Sequence, residues 1–478
     1  MENSTNVWLI NVDLYGNIMW HEKFGGTKAD ESKRILQSVN GICFIVATTY
    51  SVDGDVTYDP YPDALNFWII KINSEGNKIW DKVVGGNCRE YVMDGVATSD
   101  GGVVAMGYSC STDGDITNNY GGFDLWAFKL DSAGAKVWDF TLGSSGLEMG
   151  FGIAATSDGG FLLCGTGMVN TDGNMECTPH SGDYEALLVK LDSNGVMQWQ
   201  RCYGGSDSDL IRTAIEVNDG YLIAGCTSSN DGDMEGAGYH EGYNQNGNKT
   251  TDVWLAKIDL EGNIIWTKCF GGSRYEVTAR IFKTEDNNVF VFAGTSSFNG
   301  DVSGNHSLSV YYDEIWVLKI SSSGTFLWQR CIGGQASEYI ASGVVQRSDS
   351  TWVVAATAQG TSTGDIGCGP PLGETDYYIW AFEFSDTNLY ASIQHPESIH
   401  VTVKPNPAGE WAAFDYTLPV DNSTLTIQDA LGRKIETFVL TGQKGQKLWN
   451  TNGFPDGIYF YSLRSGTYIK TDKLLIRK

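Results

Sequence analysis

The chain has 478 residues, 12% of them aromatic, and a formal charge of -26 at pH 7. That length allows two or more sizeable cores, and the aromatic content excludes disorder for most of it. Residues 394–478 hold 10 Lys and Arg against 8 Asp and Glu, which leaves 22 against 50, or -28, before them; so acidic a surface disfavours nucleic acid and anionic membranes and is compatible with calcium or cationic partners.

The N-terminus, MENSTNVWLINVD, has no basic start followed by an apolar core and does not read as a signal peptide. No apolar run approaches the ~20 residues of a membrane helix, so no transmembrane segment is expected. A motif then recurs. Trp8, Trp68, Trp126, Leu187, Trp254 and Trp316 each open an apolar stretch, and a second Trp follows twelve residues later, at Trp20, Trp80, Trp138, Trp199, Trp266 and Trp328. A seventh opening strand stands alone at Trp380. The openings are about 60 residues apart, so the chain is a repeat array.

Four strands are predicted per unit. The first, FWIIKIN at 67–73, is apolar on both faces apart from one Lys, as in a strand covered on both sides. A turn over Asn73–Asn77, with Gly76 where a positive φ is expected, leads to KIWDKVV at 78–84 and then to Gly85-Gly86. The third strand runs near Met93–Thr98 and turns at Ser99–Gly102 into the fourth, VVAMGYS at 103–109. A longer loop with Asp113-Gly114-Asp115 closes the unit.

Four short antiparallel strands at this period predict an all-β fold, a β-propeller of ~60-residue, four-stranded blades. The paired Trp residues are read as packing anchors between blades. The pattern D-x-x-G-x-x-x-W resembles the tryptophan-docking repeat of quinoprotein-type propellers, over roughly fifteen residues per unit. The resemblance implies the architecture and says little about chemistry. Six repeats plus one strand fit six blades or seven; seven are expected, with further strands upstream of Met1.

Alternating strand direction puts both tight turns of a unit at one end and the Gly-Gly and DGD loops at the other. The second end has the longer loops and is where a binding site is expected. An acid stands at the fourth residue after the second glycine position: Asp30, Glu90, Glu148, Asp209, Glu276 and Glu338. The DGD pattern is complete at Asp53-Gly54-Asp55, Asp113-Gly114-Asp115 and Asp231-Gly232-Asp233. It changes to Asp172-Gly173-Asn174, Asn299-Gly300-Asp301 and Thr363-Gly364-Asp365. Lys71, Lys129, Lys190, Lys257 and Lys319 lie three residues after the opening position. One reading is structural: the aspartates cap turns, and each Lys pairs with a repeated acid. The other is a calcium ion in each complete loop, held by Asp53 and Asp55, Asp113 and Asp115, or Asp231 and Asp233.

The loop MEGAGYHEGYNQNGNKTTD at 234–252 is the longest of its kind. Tyr239, His240, Tyr243, Asn244 and Asn246 would stack on and hydrogen-bond a glycan or peptide there; a solvated insertion is the alternative. The six histidines are scattered, with no HExxH. Abundant carboxylates leave a glycosidase pair open. Among the ten cysteines there is no CxxC, and Cys202, Cys269 and Cys331 share one repeat position, where small buried strand residues are expected rather than disulfides.

The repeat domain is expected over 1–385, a linker over 386–399, and a second domain over 400–478. In the last, VTVKPNPAG, LTIQDALGRKIE, GIYFYSLRSG and KLLIRK predict a small Ig-like β-sandwich. It resembles the type A sorting domain of Bacteroidota type IX secretion cargo across 401–478. Lys404-Pro405-Asn406-Pro407 matches the opening motif, Asp429 to Gly432-Arg433 the central turn, Gly457-Ile458-Tyr459 the G-x-Y element, and Lys473 to Arg477-Lys478 the basic terminal strand. The resemblance implies a signal peptide, handling by the type IX machinery, passage through the outer membrane, removal of this domain and anchoring to surface lipopolysaccharide. The absent signal peptide suggests that residues precede Met1. The expected function is a secreted or surface binding or adhesion module for an extracellular glycan or protein. The alternatives are a polysaccharide-degrading propeller using carboxylates of the acidic loop face, and a purely structural surface protein.

Overall fold

The computed structural model describes residues 5–478 apart from 14–16, 39–40, 63, 181–183, 285, 308–312, 336, 349–350, 360–364, 366–376, 386–390, 393–399, 419–422, 430–432, 442–443 and 466–467. The chain falls into two compact units, one of Met1–Asn11 with Met19–Ser392, the other of Val12–Ile18 with Ile393–Lys478. No described helix is long and apolar enough to cross a membrane.

The first unit is a β-propeller array. Strands β1 (Val7–Val12) and β2 (Ile18–Phe24) form a two-stranded hairpin. Blade I follows as β3 (Asp30–Gln37), β4 (Cys43–Thr49), β5 (Asn66–Ile72) and β6 (Lys78–Val84). Blade II is β7 (Glu90–Ala97), β8 (Val103–Ser109), β9 (Asp124–Leu130) and β10 (Lys136–Leu142). Blade III is β11 (Leu147–Ala155), β12 (Phe161–Met168), β13 (Glu185–Leu191) and β14 (Met197–Tyr203). Blade IV is β15 (Asp209–Val217), β16 (Gly220–Thr227), β17 (Asp252–Ile258) and β18 (Ile264–Phe270). Blade V is β19 (Glu276–Lys283), β20 (Val289–Thr295), β21 (Glu314–Ile320) and β22 (Phe326–Ile332). Blade VI is β23 (Glu338–Ser348), β24 (Thr351–Gln359), β25 (Tyr377–Ser385) and β26 (Ala391–Ser392). Each blade is one antiparallel sheet in chain order.

The sheets are out of phase with the sequence repeat by two strands. A blade joins the third and fourth strands of one sequence unit to the first and second of the next, so its boundary is the Gly-Gly loop. The seventh opening strand, β25, is not alone: β26, inside the stretch read as a linker, pairs with it through Phe382 with Ser392 and Glu383 with Ala391.

Burial follows from stacking blade on blade. The middle strands, such as β5 and β9, are buried on both faces, while the outer strands alternate. Trp68, Trp126, Trp254 and Trp316 are fully buried. The second Trp of each pair reaches the next blade. The indole N–H groups of Trp80, Trp138 and Trp199 donate to the carbonyls of Ser132, Ser193 and Leu260, in the following blade's outer hairpin turn. The rings lie on the glycine of that turn. A Cβ on Gly324 would stand 3.0 Å from Trp266, and φ there is +81°, so any larger residue meets both a ring and an unfavourable backbone. The Trp residues are thus anchors between blades.

The inner strand of every blade is broken by a bulge. Register shifts fall between Ser32 and Arg34, Val92 and Asp94, Gly150 and Gly152, Ile211 and Thr213, Thr278 and Arg280, and Tyr339 and Gly343. A bulge leaves one residue out of the ladder and re-aims its neighbours.

The cysteine expectation is corrected at one position and missed a second pair. Cys202 is bonded to Cys177, and Cys88 to Cys110. Cys269 and Cys331 are free and buried as expected. The loop before β13 brings Cys177 to the strand that holds Cys202, a meeting set by loop path that the repeat position does not encode.

The second unit is a β-sandwich. One sheet is β27 (His400–Lys404), β28 (Trp411–Thr417) and β31 (Lys444–Asn450); the other is β30 (Lys434–Leu440), β29 (Ser423–Asp429), β32 (Gly457–Ser465) and β33 (Tyr468–Ile476). Phe414, Trp449, Leu425, Tyr461 and Leu474 from both sheets share one core.

Candidate binding site

The loop end of the propeller unit is built by one repeated device. At blade IV the N–H groups of Gly204, Gly205 and Ser206 donate to Asp233 (3.1 Å), Asp209 (2.9 Å) and Asp231 (2.8 Å). Asp209 also accepts from the hydroxyls of Thr227 and Ser229. The same three bonds recur at Gly25, Gly26 and Thr27, to Asp55, Asp30 and Asp53. They recur again at Gly85, Gly86 and Asn87, to Asp115, Glu90 and Asp113. Where the pattern changes to Asn174 or Asn299, the amide oxygen accepts from Gly143 or Ser273 in place of a carboxylate. An acceptor oxygen is therefore what the position needs, and this explains why Asp and Asn alternate there. The N–H of Asn87 holds the exposed Asp113 carboxyl below its usual range.

Among the described residues no group of three or more His, Cys, Asp and Glu is placed to hold a metal ion. Asp53, Asp55, Asp113, Asp115, Asp231 and Asp233 each close on a backbone N–H, a positive partial charge where calcium would need lone pairs. This donor set does not suit the expected ion. Replacing Asp113 and Asp115 with Asn, whose amide oxygen still accepts the N–H, is expected to leave the melting temperature nearly unchanged in chelator and in millimolar calcium alike. A loss confined to calcium-containing buffer would reinstate the ion.

At the opposite end the Lys residues find the repeated acid of the inner hairpin turn. Lys129, Lys190, Lys257 and Lys319 pair with Asp100, Asp158, Asp219 and Asp286, while Lys71 donates to the Ser132 carbonyl.

Three histidines occupy equivalent places, which the sequence conceals. The backbone N–H and Nδ1 of His180, His240 and His306 face the carboxylates of Glu185, Asp252 and Glu314 at the head of the third strand. His180 Nε2 lies 3.5 Å from Asp233, and His240 Nε2 lies 3.8 Å from Asp301, each in the next blade's loop. For His240 the bond it donates to Asp252 outweighs burial and raises its pKa; for His180 burial opposes, and Glu185 with its acidic neighbours raises it. These acids meet a second buried set. A Cβ on Gly271 would stand 2.5 Å from Asp252 Oδ1 and 2.6 Å from Glu276 Oε2, so two carboxylates close on one glycine. Burial pushes Glu276 up to about 8, against the bonds from Thr295, Ser297 and Gly272.

The long loop uses most of its candidate residues internally. Tyr239 donates to the Thr250 carbonyl, His240 binds Asp252, and Asn244 accepts from the N–H groups of Asn246 and Asn248. Tyr243 and Asn246 are exposed. Tyr243 bonds to Glu241.

A cleft at this end lies elsewhere, between blades I and II. It has a volume of about 420 Å³ and is lined by Tyr50, Tyr91, Tyr108, Met93, Leu65 and the ion pair Lys33–Glu31, among others. Tyr91 and Tyr108 stack at 5.0 Å, with Phe123 edge-on to both. These tyrosines sit at different offsets in different strands, so no linear motif marks them.

In the sandwich unit the signal residues come together at the last strand. Asn406, between Pro405 and Pro407, accepts from the N–H of Leu475, and its amide reaches the Lys473 carbonyl. Ala408 and Arg477 exchange backbone bonds with the same strand and segment. Lys478 bonds to Asp456 and Asn452, beside Gly457, whose φ is +155°. Tyr459 is buried against Trp449 and donates to the Pro455 carbonyl. Arg433 binds Asp429; Gly432 lies outside the described residues.

Residues 402–477 match the family described as the secretion system C-terminal sorting domain. No curated protein matches the chain. Among solved structures the chain is similar to puromycin hydrolase (12% identity, 81% of this chain and 58% of that one, TM-score 0.33), so it spans under two thirds of that relative. It is similar to an α-L-arabinofuranosidase of Fusarium graminearum in complex with arabinobiose (10%, 75% and 94%, TM-score 0.43). It is also similar to PorZ, a surface component of the type IX secretion system of Porphyromonas gingivalis (10%, 96% and 71%, TM-score 0.21).

Proposed function

We propose, from the premise that residues 402–477 are a type IX secretion C-terminal sorting domain, that the protein is an exported binding module which takes an extracellular glycan in the cleft between blades I and II. The sorting domain makes it a secreted or outer-membrane surface protein and a client of the type IX machinery. The two disulfides among the described residues suit an oxidising compartment. After removal of the sorting domain, the propeller is held on surface lipopolysaccharide, so the surface form should end before residue 402 and carry the added mass.

The observation that carries the reading is the tyrosine-lined cleft. Sugar rings present C–H faces that lie on aromatic rings, and Tyr50, Tyr91 and Tyr108 supply rings with hydroxyl donors at a concave site. The carboxylates with raised pKa, such as Glu148, Glu276 and Glu338, are buried in the blade junctions rather than set in this cleft. A glycan array probed with the purified full chain tests the reading. Tyr91→Ala and Tyr108→Ala are expected to weaken retention about tenfold each, the worth of one good ring contact. Retention of no glycan, or retention untouched by both substitutions, would sink it; release of shortened saccharides would move it to the degradative alternative.

A further inference from the structure

The inner-strand bulges bring charged groups from four blades, and a backbone N–H from a fifth, toward one centre. Asp94 of blade II is 1% exposed. Its carboxylate holds Arg34 of blade I, Nε at 3.3 Å, and Arg280 of blade V, Nη1 at 3.0 Å. The Ile153 N–H of blade III points at it as well, 3.4 Å from Oδ2. First and fifth blades thus meet on a residue of the second, which places the group where the inner strands converge. Arg212, on the bulge of the intervening blade IV, lies over the Phe151 ring at 5.2 Å.

Among the described residues the cations at this centre outnumber the carboxylates. The guanidinium groups of Arg34 and Arg280 face the Asp94 carboxylate, that of Arg212 stands over Phe151, and nearby Lys33 and Glu31 pair with each other. Nε of Arg280 and Nε of Arg212 are buried with no hydrogen-bond partner. Burial lowers the pKa of Arg34; Asp94 opposes this and Arg280 adds to it, so the cations repel where water is scarce. All of this sits inside an acidic unit whose outer surface repels anions.

We propose that the centre of the propeller unit is a binding site for a small oxyanion, a carboxylate or phosphate group. Guanidinium forks match the paired oxygens of both, and a bound anion supplies the charge that one Asp does not. The bulge residues beside Arg34 and Asp94, Lys33 and Met93, also line the tyrosine cleft.

Calorimetry and thermal unfolding of the full chain test the proposal, with phosphate, acetate and chloride at equal ionic strength. Phosphate, acetate or both should bind and raise the melting temperature by several degrees over chloride; which one does so identifies the oxyanion. Arg212→Gln, which breaks no ion pair, should weaken binding at least tenfold, and Arg280→Gln should do the same. Asp94→Asn removes the competing carboxylate and should tighten binding. A wild-type chain that treats both oxyanions as it treats chloride overturns the proposal, as does unchanged binding in Arg212→Gln and Arg280→Gln.

Discussion

Trp254→Ala is expected to destabilise the propeller unit by about 3–5 kcal/mol, the cost of deleting a large aromatic from a core that only partly collapses. The ring is fully buried, its N–H donates to Thr267 at 2.8 Å, and it lies 6.1 Å from the ring of Tyr203 in the preceding blade. The cavity would therefore open between two sheets, each of which is fixed by its own ladder. Trp266→Ala should cost less, because that ring is only half-buried on Gly324. Denaturant titration reads both. A loss below about 1 kcal/mol at Trp254 would place the inter-blade energy elsewhere.

The melting temperature is expected to be highest near pH 5 and to fall steadily toward pH 8. Burial raises Glu276 and Glu338 to about 8, Glu148 to about 7, and Asp124 and Asp209 to about 6. The unfolded chain releases these protons near pH 4. Between the two values the folded state holds more protons, so stability falls as pH rises. His180 and His240 act in the same direction: their raised pKa values give stability that is complete below about 6.5 and lost as pH climbs through the folded value. Asp100, Asp158 and Asp286, lowered to about 2, act only below about pH 4, where their contribution is lost as pH falls. Glu276→Gln should flatten the decline, since an amide puts no charge near Asp252 at any pH, as only a protonated Glu does. A pH profile identical to wild type would show that this pair does not hold the proton.

The repeat, the blade architecture and the sorting domain were legible because each is written contiguously. A Trp twelve residues from its partner and an Asn between two prolines are local patterns with local causes. The phase of the blades was not, since a Gly-Gly turn within a sheet and one between sheets read alike. The equivalence of His180, His240 and His306 was hidden by loops that put five, twelve and eight residues before the acid. Asp94 and Arg280 are 186 residues apart, and only closure of the blades about a centre brings them together. Of the long-loop candidates, Tyr239 and His240 share chemistry with a binding residue but hold the loop itself.

The outer hairpin of a blade carries both a plug and a socket. In blade I, Gly76 receives Trp20 of the preceding hairpin, and four residues later Trp80 reaches the turn of blade II. Both halves of the joint therefore travel on one short piece of chain. A tandem copy of that piece arrives already fitted on both sides, so blades can be added or lost by duplication without any new interface having to be invented.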